Sequence, residues 1–352
     1  MTLLHALTTT VTTAAEPGPQ VPRIPVGQVL ADGFDWINTN LEGFFDVVKV
    51  VVDVAVTGLT DLLLAPWPVV TILLLAALAL VTAGWRVGVV ALIGLLLIDG
   101  MEQWDFAMET LALVLVASLV AVLLAVPIGV LAARSSTVSA IVRPVLDLMQ
   151  TMPAFVWLVP VVTLFSIGPV PGVVATIIFA LPPGVRLTEL GIRQVDHELV
   201  EAGQAFGSTP SQILRGIQLP LAMPTIMAGI NQVIMLALSM AVIAGLVGAG
   251  GLGGQVTSAI ATLNLALGFE AGLSVVILAV YLDRITSALG RRDPGRPGRS
   301  WRRRSRRYGD PADGTGSTGS TGSAGSTDAG QGSGEGTPDV VDPVDARAGM
   351  TT

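Results

Sequence analysis

Cysteine is absent from all 352 residues, which excludes disulfides, a thiolate nucleophile and any cysteine-based metal site. Lysine occurs once, as Lys49, and it follows Val48. A phosphate-cradling Gly-Lys-Ser/Thr loop is therefore missing, and any ATP must be hydrolysed by a partner. Histidine occurs twice, at His5 and His197, too far apart for a local metal pair. Charge is also scarce: 13% of residues are charged and 51% are hydrophobic, which is not the composition of a soluble globule. No nucleophile–base or metal constellation survives this census, so an enzymatic role has no footing. The first twenty residues are Thr-rich with no basic n-region and do not read as a signal peptide.

What the chain has is long uncharged runs. A hydrocarbon core of about 30 Å needs about 20 helical residues. On that measure residues 62–85, the short run 87–98 extended from Trp85 to Met101, 110–133, 148–185, 221–247 and 268–289 predict about seven transmembrane helices, with 148–185 divided into the fourth and fifth by Gly168-Pro169-Val170-Pro171-Gly172 and the seventh carrying Glu270 at one end and Asp283-Arg284 near the other. With the N-terminus outside and the C-terminus inside, Arg86, Arg134, Arg143, Arg186, Arg193 and Arg215 fall in cytoplasmic loops. The outer turns at 99–109, 168–172 and 248–269 hold no Lys or Arg. The fold class expected is all-α, a polytopic membrane protein.

One polar island interrupts these runs. Asp196 is placed to cap a first helix with Glu198 in its first turn, and Gly207 to end it in a left-handed conformation. Thr209, Pro210 and Gln212 form the capping-box start of a second helix, and Leu219-Pro220 is expected to stop it and redirect the chain. The plain alternative is an ordinary cytoplasmic loop.

The spacing of this island, Glu201-Ala202-Gly203, three residues, Gly207, nine residues, Ile217-Gln218-Leu219-Pro220, resembles the EAA loop of ABC-importer permeases. Gly203 departs from the usual pattern, which has Ala there. Gln150–Phe155 (QTMPAF), Phe179–Pro183 (FALPP) and Gln218–Gly229 (QLPLAMPTIMAG) are similar to the glycine betaine/proline permeases of compatible-solute importers, a resemblance that runs from about residue 65 to residue 292. It implies a type I, MetI-like permease fold in a bacterial plasma membrane. It also implies partners: two ATP-binding cassette subunits that bind the ATP and Mg, an extracytoplasmic solute-binding protein, and a second permease copy or a sister permease. Neither a cofactor in this chain nor nucleic acid is implied. Glu201, Ala202, Gly203, Gly207, Ile217, Leu219 and Pro220 would then couple the chain to its ATPase.

The flanks read differently. Phe34, Ile37, Leu41, Phe44, Phe45, Val48, Val51 and Val52 recur at helical spacing among acids, an amphipathic helix that would lie on the outer membrane face or touch the binding protein. Residues 284–307 hold ten arginines and one acid, Asp293, which makes a topology anchor on anionic lipid or an ionic-strength sensor. Residues 309–352 are rich in Gly, Ser and Thr with no aromatics, and cannot bury a core. The expected division is an extracytoplasmic segment 1–61, a permease domain 62–290 containing the loop 196–220, an Arg-rich segment 291–308 and a disordered tail 309–352. Gly248, Gly250 and Gly253 satisfy G-x-G-x-x-G, but they follow a long apolar helix rather than a strand, so a glycine-rich reentrant turn is expected instead of a nucleotide site.

Apart from residues near the ends of the seventh, the spans lack the ionisable groups a proton-coupled carrier needs. Energy arriving mechanically through residues 201–220 fits this, as does a substrate without net charge. Met152, Phe155, Trp157 and Phe165 are the candidate substrate path, since aromatic faces attract a quaternary ammonium by cation–π contact; helix packing alone would use the same residues. Two alternatives stay open: a permease of the same fold for choline, carnitine or an amino acid, and a channel or secondary carrier that works without an ATPase.

Overall fold

The computed structural model describes residues 26–290; the Arg-rich segment and the Gly/Ser/Thr tail lie outside the described residues. Every regular element among the described residues is helical. The N-terminal amphipathic region forms α1, Val26–Asn40, and α2, Glu42–Leu64. One stripe of α2, with Phe45, Val48, Val52 and Val56 three or four residues apart, packs on the core, while Phe44, Val47, Val50, Val51 and Val54 stay exposed. The helix runs on through residues 61 and 62.

Two short apolar helices follow, α3, Pro68–Ala83, and α4, Trp85–Gly100, joined at Gly84, whose φ of +98° suits only glycine. Tyr281 donates its hydroxyl hydrogen to the Leu75 carbonyl at 3.1 Å, which pins α3 to the last helix. Helix α5, Trp104–Arg134, is the long central element. Helix α6, Ser136–Thr151, is followed by a 3₁₀ turn, Ala154–Trp157, and α7, Leu158–Phe165. Then come α8, Pro169–Arg193; α9, His197–Ala205; α10, Pro210–Ile213; a π turn, Leu214–Gln218; and α11, Leu219–Ala244. After a second 3₁₀ turn, Gly245–Val247, the chain closes with α12, Gly251–Thr262, and α13, Leu265–Gly290.

Small residues explain how α5, α8 and α11 approach so closely. A Cβ on Gly184 would sit 2.8 Å from the Ala125 Cβ and 3.0 Å from Val233, and one on Gly129 would sit 2.5 Å from Thr188. Gly191 meets Thr225 and Gly229 meets Leu187 in the same way, each at 2.9 Å. Lipid provides no hydrophobic drive between helices, so backbone proximity and dispersion hold such a trio together.

Among the described residues the expected spans are not seven uniform long helices. Among the described residues four helical stretches are long and apolar enough to cross a membrane: Trp104–Arg134, Pro169–Arg193, Pro210–Val247 and Leu265–Gly290. The number rises to six if each of two bent pairs counts as one span. The expected first span is the 16-residue α3, set at 103° to α2, and the expected second is the 16-residue α4. The expected fourth, 148–167, breaks instead: α6 ends at Thr151 and the chain turns by 104°. Pro153 is the cause, because it pushes Met152 into extended geometry (φ −72°, ψ 135°) and removes a helical donor. The fifth extends to Arg193, past charges expected to end it.

Candidate coupling loop and its anchorage

The polar island folds into the expected helix-turn-helix. Asp196 accepts the Glu198 N–H at 3.0 Å and caps α9. Gly207 adopts φ +78°, and the Ser208 N–H returns to the Gly203 carbonyl at 3.1 Å, so α9 ends in a Schellman-type turn. The capping box at the start of α10 is complete: Thr209 N–H donates to Gln212 Oε1 at 2.8 Å, and Gln212 N–H donates to Thr209 Oγ1 at 3.4 Å. Glu201 is exposed and pairs with His197 Nδ1 at 3.0 Å one turn back. Ala202 is also exposed.

Leu219-Pro220 does not end the element, contrary to expectation. Helix α10, the π turn, α11 and the second 3₁₀ turn form one continuous stretch, Pro210–Val247. Pro220 lacks an N–H and its ring would collide with a carbonyl one turn back in a regular helix. The widened π turn, which contains Ile217, lies directly before it and absorbs this misfit. The second arm of the loop is thus fused to the membrane helix α11.

Gly203 is the one buried residue of α9, and an added Cβ would lie 2.9 Å from Ile217 Cδ1 and 3.4 Å from Ile213 Cγ1. Both are ends of flexible side chains. Gly203→Ala should therefore be accommodated by rotation of Ile217 and should stabilise α9 by about 1 kcal/mol. The check is limited proteolysis of the loop, which should slow, with solute uptake within about twofold of wild type.

Two features escaped the sequence reading. Phe206, directly before the turn glycine, is 90% exposed, an aromatic at the apex of a polar loop. Its position in the polar island beside a turn glycine was the available signal. The other is Glu189, buried on α8. Its Oε1 receives the Ser139 hydroxyl at 2.8 Å, Arg143 Nη2 at 3.1 Å and Arg193 Nε at 3.0 Å, and Arg193 also donates to the Ala132 carbonyl at 2.8 Å. Arg186 and Asp147 pair beside it. These contacts tie α5 and α6 to the end of α8 that leads into the loop. A buried carboxylate is tolerable because its charge is matched this closely. No local pattern announces Glu189, since Ser139 and Arg143 lie 50 and 46 residues away.

Three of the four candidate path residues lie at the α6–α7 bend, and Phe165 lies apart at the end of α7. Phe165 is buried edge-on against Phe45, ring centroids 5.6 Å apart. Trp157 donates its indole N–H to the Met149 carbonyl at 3.3 Å across the α6–α7 bend. Phe155 is exposed and Met152 half-buried at the same bend. At the opposite end of α11 the glycine-rich turn runs into α12, whose first N–H groups are capped by Glu109 and Thr110 at 2.7 and 2.8 Å.

Residues 125–292 match the family described as binding-protein-dependent transport system inner membrane component. The glycine betaine/proline betaine transport system permease protein ProW of Escherichia coli is 49% identical over 78% of this chain and 77% of its own length. The glycine betaine transport system permease protein OpuAB of Bacillus subtilis is 50% identical over 76% of this chain and 95% of its own. A solved structure of the MetNI methionine ABC transporter aligns over 54% of this chain and 94% of that chain, at 25% identity and a TM-score of 0.49. With near-half identity to ProW across three quarters of both chains, and a family match that spans the helix-turn-helix between α8 and α11, this chain belongs to the binding-protein-dependent inner membrane permeases.

Proposed function

We propose that the chain forms the translocation path of an ATP-driven importer for glycine betaine and related quaternary ammonium zwitterions. The observation that carries this is the near-half identity to permeases whose names specify glycine betaine. In this reading the loop between α9 and α10 faces the cytosol, with the N-terminus outside, and docks on one of two ATPase subunits that hold the ATP and Mg. A binding protein delivers the solute from the other side, and a second permease copy or sister permease completes the path. Phe155 and Trp157 retain surface for a cation–π contact worth about 0.5–2 kcal/mol each, whereas Phe165 packs on Phe45.

The arrangement supports a mechanical mechanism. A push on the loop moves α10 and α11 together, because no break separates them. The same push reaches α8, which the Glu189 network and the close contacts at Gly184, Gly191 and Gly229 hold against α5, α6 and α11. Coupling needs such a contiguous element with two arrangements that the partner biases.

Copurification through a tag on this chain, followed by reconstitution with the captured partners, tests the proposal. An ATPase and a binding protein should be captured, and labelled glycine betaine should enter vesicles only with ATP. Choline, carnitine or an amino acid displacing the label at lower concentration than betaine would shift the substrate to the alternative permease reading. Flux through the chain alone, without an ATPase, would overturn the proposal in favour of a channel or carrier.

A further inference from the structure

Between α11 and α13 lies a groove of about 490 Å³, a size suited to a small-molecule site. Gln232, Met235 and Ser239 line it from α11, and Val276, Ala279 and Asp283 from α13. Gln232, Met235 and Ser239 are exposed and stand three and four residues apart, so they share one face of α11. Asp283 sits about 10 Å from the C-terminal end of α13, within an apolar helix.

The environment of Asp283 differs from that of Glu189. Two arginines approach Glu189 at 3.0 and 3.1 Å and hold it as a structural ion. Asp283 Oδ1 receives neutral donors, Asn231 Nδ2 at 3.0 Å and Ser287 Oγ at 3.4 Å, while Thr286 in turn donates to Asn231. Among the described residues the one cation paired with it, Arg284 Nε, is 4.0 Å from Oδ2 on a side chain that is 58% exposed. These contacts orient the carboxylate yet leave most of its charge uncompensated. A carboxylate in apolar surroundings attracts a cation strongly.

The walls select which cation. A calcium or magnesium ion takes six or more oxygen ligands, and zinc favours His or Cys, which this groove lacks among its lining residues. Met235, Val276 and Ala279 offer none and suit methylated nitrogen instead. A zwitterion also needs a donor for its carboxylate, and Gln232 supplies an amide on the same groove. We propose that this groove is a transit site for the quaternary ammonium substrate, with Asp283 as counter-ion and Gln232 as donor to the substrate carboxylate. The inference rests on the substrate class proposed above. One carboxylate and one amide make a weak site, as passage requires.

The test is uptake of labelled glycine betaine per ATP hydrolysed in vesicles holding the complete importer. Asp283→Asn, which keeps an acceptor for Asn231, should lower this ratio about tenfold, the effect of losing an interaction of about 1.4 kcal/mol. Asp283→Glu should restore at least half of it, and Gln232→Ala, an exposed position, should fall between. An Asp283→Asn ratio equal to wild type overturns the site. So does loss in Asp283→Asn and Asp283→Glu alike, in proportion to loss of assembled complex, because that is a packing role. If Asp283→Asn does not assemble, Gln232→Ala decides, and wild-type uptake by it overturns the site. Wild-type vesicles that accumulate no quaternary ammonium solute would instead overturn the substrate reading, and this site with it.

Discussion

Alanine at Gly245 should abolish assembly of the α11–α12 turn and, with it, solute uptake. A Cβ there would lie 2.1 Å from the Gly253 carbonyl carbon, 2.3 Å from its oxygen and 2.6 Å from the Gly254 nitrogen. Gly253 is equally confined, with the Ala241 and Val242 carbonyls 2.6 and 2.8 Å from its own virtual Cβ. Backbone faces backbone at this crossing, so no rotamer change relieves the clash. Overpacking of this kind costs about 3 kcal/mol or more. The same turn delivers the α12 N–H groups to Glu109 and Thr110, and would lose those caps as it separates. Gly254→Ala is the matched control, since nothing lies within 4 Å of its virtual Cβ. Monodisperse yield in detergent and uptake in vesicles should both fall for Gly245→Ala and hold for Gly254→Ala. Equal yields of the two variants would refute the tight crossing.

Valine at Gly207 should uncouple the permease while leaving it inserted. No atom lies within 4 Å of the position, so space is not the obstacle. The obstacle is φ +78°, which costs a residue with a side chain about 1–2 kcal/mol, and a β-branched one more. The strain opens the Schellman turn and changes the angle between α9 and α10. Gly207→Asn should keep most activity, because Asn tolerates this conformation. Glu201→Arg acts at the same surface by another route, replacing the exposed carboxylate that pairs with His197 by a guanidinium that cannot accept a hydrogen bond. Phe206→Ala removes the exposed apex aromatic. Uptake should be lost in Gly207→Val and Glu201→Arg, with membrane insertion unchanged. Retention of wild-type uptake by both variants would remove the loop from the mechanism.

The loop was legible because its determinants are local. Asp196 with Glu198, Thr209 with Gln212, and Gly207 with its own φ are contacts within three residues, where side-chain chemistry maps directly onto backbone geometry. Pro220 misled for a related reason. Its missing donor is a local fact, but a π turn can absorb it, and whether one forms depends on what α11 packs against. Span counting went astray where hydropathy was read as continuity. Residues 148–167 are uncharged, yet Pro153 breaks them; α8 carries Arg186 and Glu189, yet continues past both.

By itself, then, the order of residues determined that this is a helical membrane chain without its own ATPase, and where its polar loop turns. Apolar run length, the missing Gly-Lys pair and near-neighbour caps settle those points without long-range contact. Only the tertiary structure decided which charges are buried and matched, as at Glu189, and which stand open on a groove, as at Asp283. It also decided which helices are fused, bent or short. Those outcomes depend on partners tens to hundreds of residues distant, whose proximity is created by the packing of α5, α8, α11 and α13.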